Sequence, residues 1–365
     1  FLAALAATVF ADLPTISTKG SKLFTSDGNQ FFVKGIAYQL TGDDPLVDTK
    51  QCALDAALMK SMGVNSIRIY HVNPNATHDE CMKTLADNGI YLWLDLDTFD
   101  TAIFQLEPKW TQGQLDRFAG VMDAFQKYSN LAGFFVGNEV LTSGTGSYSA
   151  PFVKAAARDL KAYRDTKGYR KIPVGYAAAD IGSLRPMLQN YLACGDKPED
   201  AIDFFALNAY SWCGQSNYQQ SGYISLVENA KAYNVPIFLS ETGCNVPTPR
   251  NFDDQDAIFG PEMSAVWSGA IIYEWIQEVN NYGLIKYGEH VDPASPGAPP
   301  DGYTRSGTPT PILPDFTNLS SKWKTLNPTG VKEAEYNPKL TPVPCPTFMP
   351  TVWKVDPSKP LPTLG

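Results

Sequence analysis

The 365-residue chain contains eight short apolar runs that alternate with segments of helical periodicity, and this alternation constrains the fold more than any other feature. The runs are rich in β-branched and aromatic residues, and several are nearly continuous, as is typical of parallel strands covered on both faces. They span residues 30–38, 63–70, 90–97, 131–139, 172–178, 203–210, 235–241 and 269–275. Strand and helix alternating eight times predict an α/β fold of the (β/α)8 barrel type. A doubly wound open sheet is the alternative.

The segments between the runs carry apolar residues at i, i+3 and i+4, and two of them end in glycine, which is a helix stop signal. The first segment carries one such stripe, which we expect to face the core: Leu54, Ala57, Leu58 and Met62. Residues 290–316 are too rich in Pro, Gly and Ser for regular structure. Residues 317–326 are predicted to form the closing helix.

The ends of the chain differ in composition from its middle. Residues 1–11 are apolar and end on the small residue Ala11, so we interpret them as the remnant of a secretory signal peptide, with a buried N-terminal helix as the alternative. Residues 12–350 are expected to form one catalytic domain, with a Pro-rich strap from Pro328 onward. Residues 351–365 are predicted to begin a linker. No later segment approaches the roughly 20 apolar residues that a membrane span requires.

Charge and cysteine content narrow the class of protein. The formal net charge is −9 and there is no run of Lys or Arg, which argues against a nucleic-acid partner. The six cysteines form no CxxC pair, which argues against zinc and favours an oxidised, extracellular chain. In that setting Asn75 in "NAT" and Asn318 in "NLS" are candidate glycosylation sites.

Two of the apolar runs end on a glutamate. The fourth run, "LAGFFVGNE", ends on Asn138 and Glu139, and the seventh ends on Glu241 in "FLSETG". A barrel carries its chemistry at the C-terminal ends of its strands, so the two carboxyl groups are expected to face each other across the barrel mouth. Opposed carboxyl groups are what the cleavage of a glycosidic bond requires. The competing interpretation of "GNE" is a strand that simply runs out into a turn.

Several motifs, in order along the chain, resemble those of the fungal β-1,3-glucanosyltransferases of glycoside hydrolase family 72. They are "GIAYQ", "RIYHVNP", "GFFVGNEV", "NAYSWCG", "FLSETGCN" and "YEWIQEVNNYG", and the resemblance extends from about residue 15 to 350. It implies a (β/α)8 domain that cuts an internal β-1,3-glucan bond and joins the new end to another glucan, without a cofactor. It also implies a secreted glycoprotein of the cell wall, held to the plasma membrane only by a GPI lipid anchor outside this chain. We expect a monomer whose partners are glucan donor and acceptor chains.

The same resemblance implies roles for individual residues. Glu139 corresponds to the acid/base and Glu241 to the nucleophile of a retaining mechanism. Asn138 is suited to hydrogen-bond the sugar 2-OH, a contact that strengthens in the transition state. The further substrate contacts that it implies are Gln39, Tyr70, Asp95, Tyr210 and Tyr273, with Asp97 competing for the place of Asp95 and with Trp212 and Tyr303 either lining subsites or packing.

Six cysteines can pair in 15 ways, and the resemblance implies Cys52–Cys81, Cys213–Cys244 and Cys194–Cys345.

A cluster in "HVNPNATHDEC" contains His71, His78, Asp79 and Glu80 and could suggest a metal site. We interpret it instead as the start of a helix, where acidic residues are favourable in the first turn.

Two other functions remain open from the sequence. A retaining endo-β-1,3-glucanase would use the same barrel and carboxyl groups, with water as the acceptor. A non-catalytic glucan-binding wall protein would need neither glutamate.

Overall fold

The computed structural model describes residues 12–39, 44–97 and 100–365. The predicted signal remnant, residues 1–11, therefore lies outside the described residues. A hairpin of β1 (Ile16–Lys19) and β2 (Lys22–Thr25) precedes the main sheet, and β11 (Ile285–Lys286) pairs with β12 (Thr310–Pro311) after it.

The main sheet is a closed barrel of eight parallel strands. They are β3 (Val33–Ala37), β4 (Ser66–Ile69), β5 (Tyr91–Asp95), β6 (Leu131–Asn138), β7 (Val174–Ala179), β8 (Phe204–Asn208), β9 (Ile237–Thr242) and β10 (Gly269–Ile272). Each strand pairs with the next in chain order, and β10 pairs with β3, with Ile272 opposite Ile36. The predicted barrel is thus confirmed, because each of the eight runs contains one barrel strand, except that β7 and β9 extend one residue beyond their runs. The pairing of β10 with β3 closes the sheet and excludes the open one.

Helices cover the outside of the barrel. They are α1 (Thr49–Met62), α2 (Asp79–Asp87), α3 (Gln112–Phe125), α4 (Ala150–Thr166), α5 (Arg185–Ala193), α6 (Tyr223–Ala230), α7 (Asp254–Ile258), α8 (Pro261–Ser264) and α9 (Asp315–Thr325). The predicted closing helix is α9. Gly63 ends α1 in the left-handed conformation, with φ of 88°. No helix among the described residues is both long and apolar enough to cross a lipid bilayer.

The inward face of α1 differs from the predicted one. Leu54 is 45% exposed and Ala57 is also exposed, so the predicted stripe is wrong at these two positions. Met62 is buried, and Leu58 is partly buried and packs against the core. Two contacts set the rotation of the helix. Cys52 is bonded to Cys81 of α2, and the buried Asp55 accepts hydrogen bonds from the hydroxyl groups of Tyr38 (2.7 Å) and Tyr287 (2.6 Å). Apolar spacing alone could not reveal that a carboxyl group and a disulfide face the barrel.

Aromatic rings fill the barrel interior below its mouth. Trp93, Phe135, Phe204 and Phe238 come from four different strands, are fully buried, and pack with closest ring centroids 4.7–5.5 Å apart. Gly175 makes room for this layer, because a Cβ there would lie 2.3 Å from the Phe204 carbonyl oxygen. A filled interior is typical of (β/α)8 barrels, whose sites lie at the C-terminal mouth.

All three implied disulfides are present: Cys52–Cys81, Cys194–Cys345 and Cys213–Cys244. The C-terminal segment is more closely packed than predicted. Trp353 and Val355 are buried, and the Lys354 amide donates to Ser147 Oγ (2.7 Å) in the turn after β6. The prediction that residues 351–365 begin a linker is therefore wrong at these positions, because the side chains at 353 and 355 bury apolar surface against the barrel.

Candidate active site

A cleft of about 380 Å³ lies at the C-terminal mouth of the barrel. It is lined by Gln39, Tyr70, His71, Asp95, Asp97, Asn138, Glu139, Glu241 and Tyr273. These side chains follow or end different strands, and barrel closure brings them together. Except for Tyr210, every residue for which the sequence predicted a catalytic role or a substrate contact lines this cleft. Tyr210 joins it through a hydrogen bond to Glu241.

Glu241 lies near the end of β9 with its side chain 11% exposed. The Tyr70 hydroxyl donates to Oε1 and the Tyr210 hydroxyl donates to Oε2, both at 2.8 Å. Arg68 Nη1 donates to Oε1 at 3.3 Å. Burial raises the pKa of the Glu241 carboxyl group, and these three donors oppose the rise because they stabilise the charged form. The donors also hold the carboxyl group in one orientation.

Glu139 follows the last residue of β6 and has a positive φ of 49°. A non-glycine residue seldom adopts this left-handed conformation, and such residues cluster at functional sites. Its amide donates to the Ala177 carbonyl of β7 (2.9 Å), and its Oε1 accepts from Asn208 Nδ2 (2.9 Å). The chain does turn at Glu139, as the competing interpretation expected, but the turn directs the carboxyl group into the cleft.

Arg68 of β4 is a central residue that the sequence analysis missed. Its guanidinium group is fully buried and pairs with Asp95 of β5 at 2.9 Å from Nε and 2.7 Å from Nη2. Nη2 also donates to Asn138 Oδ1 (3.1 Å), and the guanidinium carbon lies 4.3 Å from the centre of the Tyr70 ring. The available sequence signal was one charged residue inside the apolar run "SIRIY".

Asp95 lines the cleft, as expected, and also forms a buried ion pair. It is 2% exposed and both of its carboxylate oxygens accept from Arg68. Although it lines the cleft, its charge is matched by the guanidinium group. Asp95 therefore holds Arg68 in place, and its predicted contact with a sugar stays a prediction.

Asn208, the last residue of β8, was also missed. Its Nδ2 donates to Asn138 Oδ1 (3.0 Å) as well as to Glu139 Oε1, and its own Oδ1 accepts from Ser240 Oγ (2.7 Å). Asn138 Oδ1 thus accepts from both Asn208 and Arg68, which identifies its Nδ2 as the atom available to donate in the cleft. The usable sequence signal for Asn208 was a polar residue near the end of the sixth apolar run, as for Asn138 in the fourth.

Three tyrosines form one wall beside Glu241, and we call Tyr210, Tyr273 and Tyr282 the tyrosine wall. The ring centroids of Tyr210 lie 6.5 Å from Tyr273 and 5.6 Å from Tyr282, in edge-to-face geometry. Tyr273 and Tyr282 are 5.4 Å apart. Tyr282 was not predicted, because it comes from the loop after β10 rather than from a strand end.

Trp212 and Tyr303, for which either subsite lining or packing was expected, lie outside the cleft lining. Trp212 packs edge-on against Tyr223 with centroids 5.2 Å apart, and Tyr303 packs against His290 at 4.7 Å. Trp212 therefore packs against the start of α6. Tyr303 lies in a separate groove among the Pro-rich loops.

His78, Asp79 and Glu80 of the predicted cluster lie at the start of a helix, whereas His71 lies in the cleft. α2 begins at Asp79, with acidic residues in its first turn, and His78 Nε2 is 2.6 Å from Asp44 Oδ2. Within the described ranges, no group of His, Cys, Asp and Glu side chains is arranged to hold a metal ion.

Of the two candidate glycosylation sites, Asn75 is exposed. Asn318 is half-buried, and its Nδ2 donates to the Arg250 carbonyl (2.8 Å).

A (β/α)8 barrel with two carboxyl groups in a cleft at its mouth defines the class of glycoside-cleaving barrel enzymes. The model of the glucanosyltransferase family, glycoside hydrolase family 72, matches residues 5–295. The chain belongs to this family.

The chain is also similar in sequence to curated proteins along most of its length. The chain is 41% identical to protein EPD1 of Candida maltosa, over 92% of this chain and 59% of that protein. It is 38% identical to 1,3-beta-glucanosyltransferase GAS2 of Saccharomyces cerevisiae, over 95% of this chain and 63% of that protein. The chain thus spans about three fifths of the length of these relatives. The solved structure of S. cerevisiae Gas2p with laminaritetraose and laminaripentaose has a TM-score of 0.84 at 39% identity, covering 95% of this chain and 74% of that one.

Proposed function

We propose that this protein is a retaining β-1,3-glucanosyltransferase. It cleaves an internal β-1,3-glucan bond, holds the new reducing end as a glycosyl ester, and transfers it to the non-reducing end of another β-1,3-glucan. The observation that carries the proposal is that Glu139 and Glu241 share one cleft but have different hydrogen-bond partners. The family membership and the oligosaccharides bound to Gas2p support the choice of glucan.

In the first step, Glu241 attacks the anomeric carbon of the sugar while Glu139 donates its proton to the glycosidic oxygen. The bond between C1 and that oxygen breaks, the leaving chain departs with the proton, and the glycosyl ester forms on Glu241. Tyr70 and Tyr210 hold Glu241 in the attacking orientation. Asn138 Nδ2 is available to donate to the sugar 2-OH, a contact that strengthens in the oxocarbenium-like transition state.

In the second step, the ionised Glu139 removes a proton from an acceptor hydroxyl group. The acceptor oxygen attacks C1, the ester bond to Glu241 breaks, and both glutamates return to their starting protonation states. Retention of configuration follows from the two successive inversions at C1.

Hydrolysis is the alternative outcome, because water can replace the acceptor sugar in the second step. Water is present at about 55 M, so transfer prevails only if the acceptor is held in attack geometry, where effective molarities reach about 10⁵–10⁸ M. The tyrosine wall offers aromatic faces on which sugar rings can stack next to Glu241. This surface favours transferase over endo-β-1,3-glucanase. A non-catalytic glucan-binding role fits the site least, since it requires neither glutamate.

The test is to incubate the purified protein with a reduced linear β-1,3-glucan oligosaccharide and to follow product lengths over time. Early products longer than the substrate, matched by short reducing fragments, are expected. Only shorter products, even at high substrate concentration, would make the protein a hydrolase and refute the proposal. A Glu241→Ala preparation, purified in the same way, controls for contaminating activity. An unchanged substrate would favour the non-catalytic role.

The cellular setting belongs to the same proposal. We infer a monomer that acts outside the cell at the plasma membrane and wall, with residues 1–11 as a signal remnant and with a lipid anchor supplied by chain beyond this sequence. The three disulfides support an oxidising compartment. Asn75 is the better-placed candidate for glycosylation because it is exposed, whereas glycosylation of Asn318 would remove its hydrogen bond to the Arg250 carbonyl.

A further inference from the structure

A third glutamate lies beside the cleft and has no part in the mechanism above. Glu274 directly follows Tyr273 after β10 and is 1% exposed. Its Oε1 accepts a hydrogen bond from Asn280 Nδ2 at 2.7 Å. In the described part of the chain, no Lys, Arg or His side chain forms an ion pair with it. A buried carboxyl group with an amide partner and no cation calls for an explanation.

Asn280 connects Glu274 to the tyrosine wall. While its Nδ2 donates to Glu274, its Oδ1 accepts from the Tyr282 amide (3.1 Å). The Tyr282 carbonyl in turn accepts from the Glu274 amide (3.1 Å) and from Arg250 Nη2 (2.8 Å). The side chain and the backbone of Glu274 therefore both hold the loop that carries Tyr282, whose ring packs against Tyr210 and Tyr273.

We propose that Glu274 is a positioning residue that acts as a neutral carboxylic acid, holding Asn280 and thereby the Tyr282 ring against the rest of the tyrosine wall. The expected effect on glucan turnover rests on the proposed function. The expected effect on the position of Tyr282 and on stability does not. The wall borders the hydroxyl group of Tyr210, which donates to Glu241. Displacement of Tyr282 would therefore loosen both the nucleophile and the surface proposed for the acceptor sugar.

The charges around Glu274 favour its neutral form. Burial raises its pKa to about 8, and the carboxylates of Glu278 and Glu241 act in the same direction. The hydrogen bonds from Asn280 and Tyr273 oppose this rise but do not outweigh burial. The nearby cations are directed elsewhere: Arg250 donates to the carbonyls of Tyr273, Tyr282 and Gly283, and Arg305 pairs with Glu278 and Asp301. The remaining titratable neighbours are the phenols of Tyr210, Tyr273 and Tyr282, which are neutral near pH 8. Ionisation of Glu274 would place an unmatched buried charge close enough to Glu241 for the two carboxylates to repel each other.

The experiment compares Glu274→Gln, which keeps a neutral side chain of the same shape, with Glu274→Ala. The control is Glu289→Gln, the same chemical change at a side chain that is 85% exposed in the following loop. The substrate is a β-laminaribiosyl fluoride, whose leaving group needs no proton, so that ionisation of Glu139 does not dominate the alkaline limb. The measured quantity is kcat/KM from about pH 5 to about pH 9.5.

We expect wild type and Glu289→Gln to lose kcat/KM as pH rises through about 8. Glu274→Gln should match wild type at pH 6 within about twofold and should lack this alkaline limb. Glu274→Ala should lose about tenfold at every pH, because Asn280 loses its buried acceptor. Rescue by Gln but not by Ala distinguishes positioning from bulk packing. The proposal is overturned if Gln is as damaging as Ala, or if the alkaline limb persists in Glu274→Gln.

A thermal measurement tests Glu274 independently of glucan chemistry. A carboxyl group whose folded pKa is raised stabilises the protein fully below its unfolded pKa, and this stability is lost as pH rises through the folded value. The Tm of Glu274→Gln should therefore exceed that of wild type more at about pH 8.5 than at about pH 4.5, and Glu289→Gln should show no such growth. Near-ultraviolet circular dichroism of the tyrosines should be kept in Glu274→Gln and reduced in Glu274→Ala. A Tm difference independent of pH, or unchanged dichroism in Glu274→Ala, would overturn the inference even if the protein does not act on glucan.

Discussion

Replacing Tyr210 by Phe tests how Glu241 is kept ionised. The change removes one hydroxyl group, which donates to Glu241 Oε2 at 2.8 Å, and keeps the ring that packs against Tyr273 and Tyr282. Oε1 retains its donors, Tyr70 and Arg68. The perturbation is therefore confined to one of the hydrogen bonds that oppose the effect of burial on this carboxyl group.

The size of the effect follows from that hydrogen bond. A hydrogen bond to a charged group contributes about 1.5–3 kcal/mol, and one pKa unit corresponds to about 1.4 kcal/mol. Burial already raises the pKa of Glu241, and Tyr210 opposes the rise, so removing the hydroxyl group must raise that pKa further. Attack requires the ionised form, so the acid limb of the activity profile should move to higher pH. With Tyr70 and Arg68 still donating, we expect a shift of about one pH unit.

The assay is the pH dependence of kcat/KM with β-laminaribiosyl fluoride, in which the acid limb reports Glu241 rather than Glu139. Tyr282→Phe is the matched control, since it makes the same change in the tyrosine wall at a ring whose hydroxyl group forms no hydrogen bond to Glu241. The acid limb of its kcat/KM profile should lie at the same pH as that of wild type. An unmoved limb in Tyr210→Phe, or a limb moved to lower pH, would refute the reasoning that these hydroxyl groups stabilise the charged nucleophile.

Three further predictions concern the same cleft. Glu241→Ala should abolish glycosyl-enzyme formation, whereas Glu139→Ala should still form it slowly from substrates whose leaving group needs no proton; equal loss with such substrates, in folded variants, would contradict the division of roles. An experimental structure should place the two carboxyl groups about 5–5.5 Å apart, and a separation beyond about 6.5 Å would indicate an inverting enzyme. Arg68→Met should lower the free energy of unfolding by about 3–5 kcal/mol in denaturant titrations, because it leaves Asp95 buried and unpaired. Adding Asp95→Asn should restore part of this loss, and no restoration would argue against the ion pair as its cause.

Much of the fold could be predicted because the barrel is built from local patterns. Each barrel strand is only four to eight consecutive residues long, and each of the eight runs contains its strand to within one residue at the C-terminal end. Glu139 and Glu241 could be found for the same reason, since a polar residue at the end of an apolar run is visible without any knowledge of distant contacts.

Other features depended on neighbours that are remote in sequence. The inward face of α1 is set by a disulfide to α2 and by the tyrosines that bond to Asp55, so the apolar stripe at Leu54 gave the wrong face. Tyr282 belongs to the wall only because its loop folds back and packs against Tyr210 and Tyr273. The C-terminal residues Trp353 and Val355 looked like part of a linker because Pro-rich sequence gives no sign of what it packs against.

The sequence by itself determined the eight strands, the helices between them and the two glutamates at strand ends, because hydrophobic periodicity and strand termini are local properties of the chain. Only the tertiary structure decided what surrounds those glutamates. Arg68 reaches Glu241 across 173 positions of sequence, and Asn208 reaches Glu139 across 69. Such contacts exist because closing the barrel places the ends of all its strands around one mouth. Burying a charged or polar side chain there without a hydrogen-bond partner costs free energy, so most of these side chains are paired.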